Sequence, residues 1–363
     1  MNEALLSSIW ADPTHQPSPS LREWESLLGQ ARQAGLQGRL AHHFLANGWL
    51  DQVPSGPQMH LQSALRLAER QWHEVTWEAR CIRRALSAID TPIVVLKGAA
   101  YLLANLPAAR GRIFSDIDLM VSRQAIDAVE DALFAAGWIS EERNSYNIRY
   151  YRDWMHEIPP VRHVHRGTTI DLHHTITPPT SRFKIDGAEL LSRIQPIAGQ
   201  PGLYTLHPVD MVLHSAAHLF MEGEFGRGLR DLLDLNDLVI HFSRAPGFWD
   251  ELLDRATHLG LQIPLSHALT HLNRLFSTAP PQRLERQVQS LDRSTMSRHV
   301  MSSLLGLALR PDHPHCDGPY TGLARWLLYV RSHHLRMPMY LAMPHLVRKA
   351  FMRLKKKQPQ EAR

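Results

Sequence analysis

Cysteine is nearly absent from this chain: Cys81 and Cys316 are the two among 363 residues. Two cysteines so far apart build no disulfide framework and lack metal-ligand spacing, so a reducing cytoplasm is the expected setting. Long hydrophobic runs are missing too. No stretch of about 18 apolar residues occurs, so no segment is expected to span a membrane. The start, MNEALLSSIWADPTHQPSPS, lacks the basic opening and apolar core of a signal peptide. There is no internal repeat and no low-complexity tract. Charge of one sign is not in large excess either: 40 Lys and Arg face 35 Asp and Glu, a net charge of +5. Much of that excess lies between Arg348 and Arg363 and forms no stripe, so there is no strong nucleic-acid signal.

What is present is the composition of a folded protein, 44% hydrophobic and 21% charged. The length allows two domains, or one with large extensions. Residues 1–20, with Pro13, Pro17 and Pro19 among small polar residues, are expected to be disordered or loosely attached. Residues 21–90 form a helical lead-in. Leu27, Leu28, Ala31, Ala34, Leu36, Leu40 and Phe44 recur at roughly helical spacing, and a long helix is predicted from about Pro57 to Ile89, ended by Asp90-Thr91-Pro92. From His207 the pattern is helical again, with helices predicted over Pro208 to Met221, Leu229 to His241, Trp249 to Leu259 and Ile263 to Phe276. Residues 206–345 are therefore read as a helical C-terminal domain. The basic tail, 346–363, is open to two readings: a solvated tail, or contact with an anionic membrane surface.

The chemistry concentrates in residues 91–205. Ile93-Val94-Val95-Leu96 reads as a buried strand that breaks at Lys97-Gly98, and a helix follows from Ala99 to about Leu106. A second apolar run, Ser115-Asp116-Ile117-Asp118-Leu119-Met120-Val121, carries two carboxylates. Side chains alternate along a strand, so Asp116 and Asp118 share a face while Ile117, Leu119 and Val121 take the other. Neighbouring carboxylates need positive charge between them, and a divalent metal ion is the simplest source. Ser122 is placed to cap a helix from Ala125 to Ala136, closed by Gly137. After a polar, aromatic passage from Glu141 to Pro160, Val161 to His165 and Thr168 to His173 form a β-hairpin turning at Arg166-Gly167. Its second strand puts Asp171 and His173 on one face, a third carboxylate arranged like the first two.

Strand, glycine turn, helix, Asp-x-Asp strand, then a strand with one Asp is the order expected of a nucleotidyltransferase palm. Transferring a nucleotidyl group needs in-line attack at phosphorus and neutralisation of the phosphate oxygens, usually by Mg²⁺ ions on carboxylates. A glycine turn before a helix lets backbone N–H groups approach phosphates.

Leu96-Lys97-Gly98-Ala99-Ala100, then Arg112, then Ser115 to Val121, then Ile170-Asp171-Leu172-His173 closely resemble an uncharacterised branch of the polymerase-β-like nucleotidyltransferase superfamily. That branch reads roughly LKG, an Arg four residues before the first Asp, a DIDLLV-like strand and a later DLH strand. The resemblance extends over about residues 25–345. It implies an α+β fold, with a small mixed sheet as palm and helices flanking it. It also implies Mg²⁺ (or Mn²⁺) and an NTP, with ATP the expected one, and transfer of an NMP group to an unidentified hydroxyl acceptor. On that reading Asp116, Asp118 and Asp171 are the catalytic and metal-binding carboxylates. Lys97, Gly98, Ala99, Arg112, Ser115 and His173 stand beside the nucleotide, although Lys97 and Arg112 are equally readable as surface charges. The wider superfamily usually has Gly-Ser where this chain has Gly98-Ala99, which removes one hydroxyl contact to phosphate. The alternative is a non-catalytic nucleotide-binding or scaffold protein on the same fold, serving a biosynthetic or toxin–antitoxin-like system.

Three further patterns have plain alternatives. His214 and His218 stand four apart, a zinc-ligand spacing, but Ser215 occupies the place of a metalloprotease glutamate. His156, His163, His165, His173 and His174 are dense and leave a zinc site open, although no cysteine or regular metal-ligand spacing favours it. Arg227, Arg230, Asp231, Asp234 and Asp237 read either as a substrate-cleft wall or as a charged helix face with local ion pairs.

Overall fold

The computed structural model describes residues 5–291, 295–338 and 340; the basic tail, 346–363, lies outside the described residues. Among these, the chain forms a seven-stranded mixed sheet surrounded by helices, an α+β fold. The strands are β1 (Ile93–Val95), β2 (Ile117–Met120), β3 (Trp138–Ser140), β4 (Val161–His163), β5 (Thr169–His173), β6 (Gln195–Pro196) and β7 (Leu203–Thr205). Their order is β3-β4-β5-β2-β1-β7-β6. The β4–β5 hairpin forms as its turn chemistry predicts, with Gly167 at φ 72.

The central pairs set the site. β1 runs antiparallel to β2, while β2 and β5 are parallel neighbours with Asp118 opposite Asp171. Each strand thereby turns its apolar residues to the same side. Ile117 and Leu119 of β2, with Val95 and Leu203, meet Val75, Ala79 and Ile82 of the long helix Ser55–Ala85. Each such Val, Leu or Ile side chain, fully buried, contributes about 1.5–3 kcal/mol. The carboxylates are left on the opposite face.

The long helix joins two apolar cores. Its first half places Leu61 and Ala64 among the N-terminal helices, together with Leu229 and Leu233 from the Gly228–Phe242 helix. Its second half places Val75, Ala79 and Ile82 under the sheet, in a core that continues through the Pro208–Met221 and Gln262–Phe276 helices.

Two expectations need correction, and one passage given no element gains a helix. Residues 1–20 read as disordered or loosely attached, yet Leu5–Ala11 is a helix whose Leu6 and Ile9 bury against the N-terminal core. Ser122 makes no capping hydrogen bond, since a 3₁₀ turn, Arg123–Ala125, separates it from the helix Ile126–Ala135. The polar passage after Glu141 holds a helix, Ser145–Trp154, whose first turn is capped by the Asn144 side chain. Ser20 supplies the N-cap of Leu21–Gln33, in a reciprocal capping box with Glu23.

Candidate functional site

Asp118, 6% exposed, is the centre of the polar face. Its Oδ1 accepts from Lys97 Nζ at 2.9 Å and lies 3.1 Å from His173 Nε2. Burial works against its charge, but Lys97 and His173 outweigh it and hold the carboxyl well below the usual range. Lys97 is likewise opposed by burial, and Asp118, Glu222 and Glu157 hold its ammonium above the usual lysine range. The backbone of Lys97 is left-handed, φ 48, where the chain leaves β1 and starts the short helix Lys97–Leu103.

Asp171 stands beside Asp118 in the neighbouring strand. One of its oxygens, Oδ1, is buried without a hydrogen-bond partner. Burial, reinforced by Asp118, Glu157 and Asp116, pushes its pKa up to about 7. A buried acceptor with no donor, pressed by like charges, fits a divalent cation. Asp116 lies one residue before β2 and is exposed, with Ser115 Oγ donating to it at 2.8 Å.

A cleft of about 450 Å³ opens beside these groups, within the size range of small-molecule sites. Lys97, Gly98, Arg112, Ser115, Asp116 and Asp118 line one side. The far wall comes from the C-terminal half: His218, Glu222, Arg227, Arg230, Asp231 and Asp234. Tyr101 closes the floor, its hydroxyl 2.7 Å from Ser215 Oγ.

Arg112 is buried and not a surface charge. Its Nε donates to Asp234 Oδ2 at 2.7 Å, Nη2 is 4.0 Å from Asp231 Oδ1, and the guanidinium lies 5.5 Å from the Phe114 ring centroid. Gly98 faces this guanidinium directly. One turn further along the same helix, Asp237 pairs with Arg39, which also donates to the carbonyls of Pro107, Ala108 and Arg110.

The structure thus brings Lys97, Gly98, Arg112, Ser115, Asp116 and Asp118 to one cleft, with Asp171 and His173 on the adjoining strand. Ala99 does not join them. It is 2% exposed, and its methyl packs in the apolar seam with Val75 and Ala79. The Gly98-Ala99 pair is explained by this packing: residue 98 must admit Arg112, and residue 99 must be apolar.

Sequence reasoning did not single out Glu157 or Glu222, because a lone glutamate in a polar passage or at a helix end carries no pattern. Asp231 and Asp234 were visible as a spaced charge run, and both face the cleft rather than a solvated helix face. The histidines divide. His163 packs against Trp138, ring centroids 4.9 Å apart, His174 lines a different cavity, and His156 and His173 lie 5.1 Å apart beside Asp118. His218 is 3.2 Å from Glu222, while burial, with Lys97 and His218 nearby, keeps His214 well below its usual pKa.

A family model described as uncharacterised nucleotidyltransferase matches residues 20–277, the span that contains the sheet and both cleft walls. The chain belongs to that family. No curated protein and no solved structure matches it. Membership supports nucleotidyl transfer as the general chemistry and a transferase as the class of enzyme. Among the described residues, no helix is long and apolar enough to cross a membrane.

Proposed function

We propose that the cleft carries Mg²⁺-dependent transfer of an NMP group from an NTP, ATP being the expected donor, to a hydroxyl acceptor. The observation that carries this is the register of β2 and β5, which sets Asp118 and the unpartnered Asp171 side by side with Asp116 at the rim. Asp116, Asp118 and Asp171 would hold the cation, which supplies neutralisation of phosphate charge. Lys97 and His173 fix the orientation of Asp118. Arg227, at the cleft rim 3.4 Å from Ser115 Oγ, offers a guanidinium to the phosphate tail. Asp171, set beside Asp118 by the parallel register, would complete the site and help activate the acceptor hydroxyl.

Binding of labelled NTPs with and without Mg²⁺ or Mn²⁺ tests this, in wild type and in Asp116→Asn/Asp118→Asn. Mg²⁺-dependent binding lost in the double variant, with pyrophosphate released when cell extract supplies the acceptor, is the expected result. No binding of any NTP would overturn it.

A second reading has its own support. Lys97 and His173 already satisfy Asp118 without a metal, as they would in a protein that binds nucleotide and does not turn it over. Nucleotide binding unchanged by Asp118→Asn, with no pyrophosphate, would select that reading.

A further inference from the structure

Among the described residues, one group of His, Cys, Asp or Glu side chains brings three donor atoms close together, and it is not the three carboxylates of the cleft. One donor atom each from His156, Glu157 and His173 lies within 4.8 Å of the other two. Two pieces of chain supply them. Glu157 forms an antiparallel bridge to His173, and the His156 carbonyl accepts from His174 N–H at 2.9 Å, so this segment is laid against β5 by its backbone. Neither His156 nor Glu157 has a part in nucleotidyl transfer as described above.

Two observations point to a ligand. His156 is 9% exposed, and its Nδ1 is buried with no hydrogen-bond partner. Leaving such a nitrogen unsatisfied costs about 1–3 kcal/mol, which coordination to a cation would offset. Next, His173 places Nε2 at 3.1 Å from Asp118 Oδ1 and Nδ1 at 3.5 Å from Glu157 Oε2. Nδ1 and the Glu157 oxygen are thus spaced so that one tetrahedral ion, at about 2.0–2.2 Å from each, could take both as ligands. A carboxylate holding one ring nitrogen while the other is free is the usual support of a metal-bound histidine.

We propose that His156, Glu157 and His173 form a site for a transition-metal ion of the zinc class. Two imidazoles and one carboxylate are a donor set that zinc takes while keeping a fourth position open. Mg²⁺ prefers oxygen ligands throughout, so the two sites select different metals. They meet only at the His173–Asp118 contact. An ion on His173 would fix the ring that orients Asp118.

The test is titration of metal-stripped, full-length protein with Co²⁺, followed by visible d–d absorption, and with Zn²⁺, followed by metal content after gel filtration. The expected result is saturable binding with the bands of nitrogen-ligated Co²⁺. His156→Ala and Glu157→Gln should each weaken it by about tenfold or more, whereas Asp116→Asn leaves it unchanged. Circular dichroism of each variant establishes that it is folded, and His156→Gln replaces His156→Ala if the latter is not. Absence of the nitrogen-ligated bands in wild type, or equal Co²⁺ affinity in the folded His156 and Glu157 variants, overturns the proposal. NTP binding is measured separately, so failure of the transferase reading and failure of this site are distinguishable.

Discussion

Gly98 leaves the space that Arg112 fills. A Cβ at residue 98 would lie 2.6 Å from Cζ of Arg112 and closer still to Nη1. The guanidinium cannot yield cheaply, because Asp234 holds Nε at 2.7 Å and both groups are buried. Gly98→Ala is therefore expected to cost about 3–5 kcal/mol, the scale of uncoupling a buried charge pair. In an Arg112→Ala background the same substitution should cost less than about 1 kcal/mol. Urea unfolding of the four proteins checks this, and equal costs in both backgrounds would sink the explanation.

Lys97 sits at φ 48, a conformation that glycine adopts without penalty. Lys97→Gly and Lys97→Ala both remove the ion pair to Asp118. The glycine variant should nonetheless be the more stable of the two by about 1 kcal/mol. Denaturant midpoints read the difference, and an alanine variant equal to or above the glycine one would contradict it.

The protonation of Asp171 predicts how metal-free stability depends on pH. Its pKa is raised in the fold to about 7, chiefly by burial and by Asp118, against about 3.9 for an unfolded aspartate. A raised carboxyl pKa means the fold binds the proton more tightly than the unfolded chain. That stabilisation is fully present below about pH 4 and is lost as pH rises toward about 7, a change of about 1–4 kcal/mol. Thermal melts in chelator should show the decline in wild type and a flatter profile in Asp171→Asn. Added Mg²⁺ should recover the loss near neutrality in wild type alone.

Glu78 and Glu74 both accept from arginine, and burial separates their effects. Glu78, 1% exposed, receives Arg166 at 2.7 and 3.1 Å together with the Thr168 hydroxyl. The Arg70–Glu74 pair is as close, 2.8 Å, but exposed. Glu78→Ala should cost about 3–5 kcal/mol and loosen the β4–β5 hairpin, whereas Glu74→Ala should cost about 0.3–0.5 kcal/mol. Amide exchange at Arg166 to Asp171 reports the loosening; unchanged protection there in Glu78→Ala would refute it.

Periodicity was enough to place β1, β2, the hairpin and the Pro208–Met221 helix, since each is a run of apolar residues at one spacing bounded by Gly, Pro or charge. The carboxylates Asp116, Asp118 and Asp171 were readable because they interrupt those runs. What could not be read was pairing across distance. That Asp118 faces Asp171 follows from parallel register between strands, and that Asp234 neutralises Arg112 follows from how a distant helix docks. The helix Leu5–Ala11 was missed for a related reason: Leu6 is buried by residues far along the chain, and short segments show no period of their own.

The ion pairs Arg112–Asp234 and Arg39–Asp237 also bear on the order of folding. Arg112 precedes Asp234 by 122 residues, and Arg39 precedes Asp237 by 198. A chain leaving the ribosome therefore exposes both guanidiniums, and the sheet beneath them, well before their carboxylates have been made. The sheet can pair its strands in that interval, but burying either arginine would leave a charge without its partner. Emergence of the Gly228–Phe242 helix, which supplies residues to both apolar cores, is thus the step that lets them seal together.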